Sequence, residues 1–81
     1  MHDHLKFHIT RHMAIRMAER KIPLEHAKNT VNYATDETRL QDGPHGGILK
    51  RFTKSDGKHK LTVIAEIKRN DCWLATVYYE D

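Results

Sequence analysis

The sequence predicts a single α+β domain, with two N-terminal helices packed on a four-stranded antiparallel sheet and room for a short extra strand before the first helix. Apolar residues recur every three or four positions in the first half of the chain, as in helices that bury one face. Apolar and polar residues alternate in the second half, and the short connections there favour antiparallel strands. A length of 81 residues gives one domain, spanning residues 1–81.

The predicted helices follow a short alternating segment, Leu5–Ile9, which is the candidate extra strand. Thr10 is a good N-cap for a helix over Arg11–Lys21, because its hydroxyl can accept a hydrogen bond from a first-turn amide. Ile22-Pro23 interrupts the pattern, and proline is tolerated at the start of a second helix over Leu24–Tyr33. The apolar stripes are Met13, Ala14, Met17 and Ala18 in the first helix and Leu24, Ala27, Val31 and Ala34 in the second.

The predicted strands are separated by turn signals. Asp42–Gly47 is a loop by its glycines and proline, and Ser55–Lys58 is a hairpin turn because its Asp-Gly pair suits positive φ. Arg69–Asp71 turns the chain once more. The strands are Glu37–Gln41, a weak edge strand, Ile48–Thr53, Lys60–Lys68 and Trp73–Tyr79.

Alternation in the last strand predicts which of its side chains face the helices. The more apolar set is expected in the core, which leaves Thr76 and Tyr78 on the uncovered face of the sheet. The expected core set is Trp73, Ala75, Val77 and Tyr79, and the opposite set is Leu74, Thr76 and Tyr78.

Composition narrows the class of protein. Fourteen Lys+Arg against eleven Asp+Glu give a net charge of +3, which permits a polyanionic partner without requiring one. Seven histidines offer several acid–base groups near neutral pH. The single cysteine, Cys72, excludes an internal disulfide and favours a reducing compartment such as the cytoplasm. No membrane span, secretion signal, metal-ligand spacing or cofactor motif is predicted.

Three groups of residues could carry chemistry. At 100° per residue, His12, Arg16 and Arg20 share one helix face, where an imidazole could move protons and guanidiniums could hold phosphate. The alternative is an ordinary solvated helix face with paired charges. Lys50 or Arg51 should point away from the helices, either towards a ligand or to protect a sheet edge. Thr76 and Tyr78 form the third group; they either line a site on the open face of the sheet or serve only to pack the strand.

A motif in the first helix carries a resemblance. The pattern I-S/T-x-H-A/S-x-x-R-M/L-x-x-R-G-I is typical of the small bacterial proteins grouped as domain of unknown function 4258, and this chain resembles them over nearly its whole length. It departs from the pattern at Met13, where a small residue is usual, and at Lys21, where glycine is usual. The matching residues are Ile9, Thr10, His12, Arg16, Met17, Arg20 and Ile22, with looser likeness at Lys50, Arg51 and Phe52, at Leu61–Ile67 and at Leu74–Tyr78.

That family is similar to RelE-like and barnase-type RNase toxins, so the resemblance implies a metal-independent endoribonuclease of a toxin–antitoxin system. In such enzymes the 2′-hydroxyl attacks the adjacent phosphorus and leaves a cyclic phosphate. The resemblance implies that His12 is the acid or base and that Arg16 and Arg20 bind phosphate. It further implies that Lys50 or Arg51 adds positive charge and that Thr76 or Tyr78 lines the site.

The resemblance also implies two partners: RNA, free or on the ribosome, and an antitoxin or immunity protein. Two other interpretations stay open from the residues. The chain could bind nucleic acid or the ribosome without cleaving RNA, in which case affinity would fall with salt. It could instead be a protein-interaction module whose weak edge strand, Glu37–Gln41, pairs with a partner strand.

Overall fold

The computed structural model describes residues 4–55 and 57–80, and these form two helices and five strands in one chain order, βααββββ. Asp56, in the predicted hairpin turn, lies outside the described residues, whereas the neighbouring Gly57 has the positive φ, 90°, expected there. The elements are β1 (Lys6–Ile9), α1 (Arg11–Arg20), α2 (Leu24–Asn32), β2 (Asp36–Asp42), β3 (Ile48–Ser55), β4 (Lys60–Lys68) and β5 (Asp71–Tyr79).

The prediction of a four-stranded antiparallel sheet is wrong. The described strands form one five-stranded mixed sheet in the order β1-β5-β4-β3-β2, in which β1 runs parallel to β5. Both helices and three strands separate β1 from β5 in sequence, so no tight turn forces them antiparallel. The segment Leu5–Ile9 is too short for its alternation to indicate a pairing direction.

Thr10 joins the first strand, the first helix and the last strand. Its hydroxyl accepts a hydrogen bond from the Met13 amide at 3.1 Å and donates one to the Leu74 carbonyl at 2.7 Å. Its own amide also donates to the Leu74 carbonyl, at 3.3 Å. The N-cap predicted from sequence is therefore confirmed, and it also fixes the start of α1 against β5.

Helix α1 ends one residue earlier than predicted. Lys21 is its C-cap, with φ of 54° in the left-handed region, and its amide donates to the Met17 carbonyl. This conformation favours glycine, because in any other residue the Cβ crowds the carbonyl oxygen at a cost of about 1–2 kcal/mol. Helix α2 then begins after Pro23, as the sequence predicts.

The core lies between the helices and one face of the sheet. Helix α1 packs on β5, whereas α2 packs on β3 and β4. We call the opposite side of the sheet the open face, because no described helix packs on it. The buried apolar residues are Met13, Ile22, Ala27, Val31, Phe52, Leu61, Val63, Ala65, Cys72, Leu74 and Val77.

The predicted faces of β5 are wrong for Trp73 and Leu74 and correct for Thr76 and Tyr78, because the strand contains a bulge between these two pairs. Ile64 pairs with Thr76 and Ala65 with Leu74, so Ala75 is an extra residue without a partner on β4. The bulge reverses the alternation: Leu74 is fully buried in the core, and Trp73 lies on the open face. Beyond it, Thr76 and Tyr78 do lie on the open face, as predicted.

Candidate functional site

One cross-strand row organises the open face. Leu49, Glu66, Trp73 and His8 are successive partners on β3, β4, β5 and β1. Side chains opposite one another in a sheet lie about 5 Å apart, so these four form a continuous line. The row places a carboxylate, an indole and an imidazole side by side.

Glu66 is the unusual member of the row, because it is charged and only 2% exposed. One carboxylate oxygen, Oε2, accepts hydrogen bonds from the amides of His45 and Gly47, both at 2.8 Å. The other, Oε1, lies 2.7 Å from Nδ1 of His45. A buried carboxylate needs such partners, and here the loop between β2 and β3 supplies all three.

These contacts keep Glu66 ionised. Burial raises the pKa of the Glu66 carboxyl, but the hydrogen bonds from the His45 side chain and from the Gly47 and His45 amides outweigh it, so the pKa is lowered below its ordinary value of 4.5. An ionised carboxylate only accepts hydrogen bonds, so the proton at this contact belongs to Nδ1 of His45. The other ring nitrogen, Nε2, is then the basic one in the neutral ring.

Two glycines let the loop wrap around Glu66. A Cβ at Gly43 would collide with the carboxylate end of the Glu66 side chain. A Cβ at Gly47 would collide with the carbonyl oxygen of Ile67 on the adjacent strand. Glycine at these two positions lets the backbone of the predicted loop pass close to Glu66 and Ile67. The loop thereby places His45 on the open face.

His45 and His8 stack on Trp73. The centroid distances are 4.1 Å for His45, at an interplanar angle of 6°, and 5.1 Å for His8, at 18°. His8 extends from β1 and His45 is bound to Glu66 on β4, and these strands flank β5 on opposite sides. The two imidazoles therefore cover opposite faces of the indole. Trp73 holds the two rings apart, and neither face of the indole is left open to stack on a ligand.

His8 has its own carboxylate partner. Its Nε2 lies 2.9 Å from Oδ1 of Asp71, and both side chains are partly exposed, at 35% and 41%. The His45 side chain is 44% exposed. Each imidazole is thus oriented by a carboxylate on one nitrogen and open to solvent on part of its surface. This is the arrangement that positions histidine as a general acid or base.

The strand residues predicted from sequence divide between the two faces. Arg51, Ile64 and Thr76 form the next row of the open face, about 7 Å along the strands from the Glu66 row. Tyr78 follows in the row after that, opposite Thr62. Lys50 lies on the helix side, where its ammonium is 2.6 Å from Glu37. The structure therefore brings Arg51, Thr76 and Tyr78 to one surface and excludes Lys50 from it.

The predicted helix residues stay in the helix layer. Arg16 pairs with Glu19 one turn away, and Arg20 donates to the Val77 carbonyl of β5 at 3.2 Å. Strand β1 pairs with β5 only as far as Leu74, so Arg20 occupies part of the unpaired edge beyond it. His12 is exposed and has no hydrogen bond, ion pair or ring contact with another described residue. Among residues 4–55 and 57–80, no hydrogen bond or ion pair links these three to the open-face residues.

Sequence reasoning missed the residues at the centre of the open face. They are far apart in the chain: 21 positions separate His45 from Glu66 and 63 separate His8 from Asp71. One signal was present, because Ile64 breaks the polar face of β4 and indicates that this face is also partly covered. The missed residues are His8, His45, Glu66, Asp71 and Trp73.

Comparison with known proteins identifies no relative: no family model, curated protein or solved structure matches the chain. No helix among the described residues is long and apolar enough to cross a membrane. Within the same residues, no group of three or more His, Cys, Asp or Glu side chains is arranged to hold a metal ion.

Proposed function

We propose that this chain is a metal-independent endoribonuclease that acts from the open face of its sheet, as the toxin of a cytoplasmic toxin–antitoxin pair. The observation that carries the proposal is the pair of carboxylate-bound imidazoles, His45 with Glu66 and His8 with Asp71, held on opposite sides of Trp73. RNA cleavage by its own 2′-hydroxyl needs one base and one acid on opposite sides of a phosphorus atom. Two oriented histidines supply that pair.

The roles follow from the hydrogen bonds. Nε2 of His45 takes the proton of the 2′-hydroxyl while that oxygen attacks the adjacent phosphorus. The bond from phosphorus to the 5′-oxygen breaks, and His8, as imidazolium stabilised by Asp71, protonates the leaving oxygen. Arg51, in the next row, neutralises charge on the non-bridging oxygens. The products are a 2′,3′-cyclic phosphate and a 5′-hydroxyl, so no atom or electron is unaccounted for.

The family resemblance supports a different placement of the same chemistry. It assigns acid–base function to His12 and phosphate binding to Arg16 and Arg20, on the helix layer. We favour the open face because His12 has no hydrogen bond, ion pair or ring contact with any described residue that would orient its ring, whereas His45 has a carboxylate and an indole. The overall activity is the same in both placements.

Purified protein should cleave a labelled single-stranded RNA in the presence of EDTA and leave a 2′,3′-cyclic phosphate. The matched control is the same oligonucleotide with deoxyribose at every position, which lacks the attacking hydroxyl and should stay intact. Mass spectrometry of the fragments identifies the end group. Intact RNA in the presence and absence of added ribosomes, or cleavage of both oligonucleotides alike, would overturn the proposal.

Strand β2 is the surface that best suits an antitoxin. It is an outer strand of the sheet, all seven of its residues are exposed, and Leu40 is 43% exposed. An outer strand can accept a partner strand through main-chain hydrogen bonds, with apolar side chains as anchors. A toxin blocked there would be neutralised without contact to the imidazoles.

Leu40→Asp should therefore escape neutralisation and stay toxic. In a bacterial host, wild-type protein should arrest growth, and co-expression of the gene adjacent to its own should restore growth. The variant should arrest growth with or without that gene, because a buried aspartate disfavours the complex. Tyr33→Asp is the control, since Tyr33 is an exposed apolar residue outside β2, 55% exposed. Neutralisation of both variants would exclude β2 as the antitoxin surface.

A further inference from the structure

A second candidate site lies on the other side of the sheet. A cavity of about 370 Å³ opens between α2 and the ends of β3, β4 and β5. This volume is at the small end of the range for ligand pockets, about 300–1,000 Å³. The residues lining it are His26, Asn29, Thr30, Lys54, His59, Leu61 and Tyr79.

The floor of the cavity is one cross-strand row. Lys54, Leu61 and Tyr79 are successive partners on β3, β4 and β5, on the helix side of the sheet. The row lies at the edge of the core: Leu61 is nearly buried, whereas Lys54 is half-buried and Tyr79 is exposed, so the two outer side chains border open space. It offers an ammonium at one end and an aromatic ring at the other.

The wall is one face of α2. His26, Asn29 and Thr30 are spaced three and four residues apart, which places them on the same side of the helix. The Thr30 hydroxyl donates to the His26 carbonyl at 2.8 Å and keeps lone pairs free. Asn29 and His26 are exposed side chains that can donate hydrogen bonds into the cavity.

The described lining of the cavity carries one ammonium group, that of Lys54, and no carboxylate. It also includes two histidines. Lys54 is half-buried and forms no ion pair or hydrogen bond with any other described residue. A half-buried ammonium is stabilised by an anionic partner, and no residue among 4–55 and 57–80 supplies one to Lys54.

We propose that this cavity binds a small phosphate monoester of mononucleotide type. Lys54 and Asn29 donate to the phosphate oxygens, His26 adds a third donor, and Leu61 and Tyr79 pack against the ring of the ligand. A phosphate offers several acceptor oxygens in different directions, which matches donors that come from both the floor and the wall. The site is separate from the open face and does not depend on RNA cleavage.

The test is an NMR titration of ¹⁵N-labelled protein with AMP and, separately, with adenosine. AMP should shift the amides of Asn29, Thr30 and Lys54 in a saturable way, and adenosine, which lacks the phosphate, should bind at least about tenfold more weakly. Lys54→Met should weaken AMP by about tenfold or more, the loss expected for one charge-assisted hydrogen bond. Lys58→Met removes the same charge from the adjacent hairpin and should leave the affinity unchanged.

Three results would overturn the assignment. The first is that AMP shifts only open-face amides, such as those of Trp73 and Thr76. The second is that adenosine binds as tightly as AMP, and the third is that both lysine variants weaken AMP binding equally. If Lys54→Met does not fold, Asn29→Ala, an exposed substitution on α2, serves in its place with the same expected loss. Since the readout is binding, a failed cleavage assay leaves this result standing, and the reverse also holds.

Discussion

His45→Ala should lower the rate of RNA cleavage by about 10²- to 10⁴-fold, the usual contribution of a general acid or base. The imidazole would be lost, but the backbone amide of His45 would still donate to Glu66, so the loop keeps two of its three bonds to that carboxylate. The variant should therefore fold, with a circular dichroism spectrum like that of the wild type. The measurement is the single-turnover rate on a labelled RNA.

His45→Asn separates proton transfer from loop anchoring. An asparagine amide can donate from nearly the position of Nδ1, so the contact to Glu66 survives, but asparagine cannot take up a proton near neutral pH. Its Tm should lie above that of His45→Ala, because the contact to Glu66 survives although the stacking on Trp73 is lost. Its rate should fall as far as that of His45→Ala.

His12→Ala decides between the two placements of the chemistry. If the open face is the site, this variant should cleave RNA at the wild-type rate. Loss of cleavage in His12→Ala with full activity in His45→Asn would move the site to the helix layer and support the roles that the resemblance assigns to Arg16 and Arg20. Full activity in both variants would remove both histidines from the mechanism.

Local signals explain why the helices could be predicted from the sequence. The hydroxyl of Thr10 and the ring of Pro23 each act within a few residues of the chain, and both mark helix starts in the structure. The strands after Thr35 were placed within a few residues for the same reason, since alternation and Asp-Gly turns are local. The number of strands in the sheet and the parallel direction of β1 could not be predicted in this way, because they depend on which segment pairs with β5.

The open-face site could not be predicted because it depends on the register of distant strands. The bulge at Ala75 moves Trp73 to the open face, and period-two alternation cannot show a one-residue insertion. Glu66 looks like an ordinary solvent-facing residue until the loop containing His45 folds over it. Thr76 and Tyr78 were found from sequence because alternation within one strand places them on one side of the sheet. For β3, alternation showed only that either Lys50 or Arg51 faces away from the helices, and the structure selects Arg51. Their neighbours His8 and His45 come from a strand and a loop far away in the chain.

Glu66→Ala should be the most destabilising single change on the open face, with a loss of about 2–4 kcal/mol in the free energy of unfolding. It leaves the amides of His45 and Gly47 without their acceptor, and an unsatisfied buried donor costs about 1–3 kcal/mol. A domain this small has little stability to lose, so Tm should fall by about 10 °C or more. Thermal and urea unfolding followed by circular dichroism measure both quantities.

Glu66→Gln is the matched control, because its carbonyl oxygen can still accept from both amides. Its stability should lie between those of the wild type and Glu66→Ala at pH 7. The wild type and Glu66→Gln should also differ in their stability at acid pH. The pKa of Glu66 is lower in the folded chain than its ordinary value of 4.5, so the carboxylate stabilises the fold above that pH. This contribution is lost as pH falls through the folded pKa, and Glu66→Gln, which does not titrate, should show a smaller loss of stability there. Equal acid sensitivity in the two proteins would mean that the loop does not depend on the charge of Glu66.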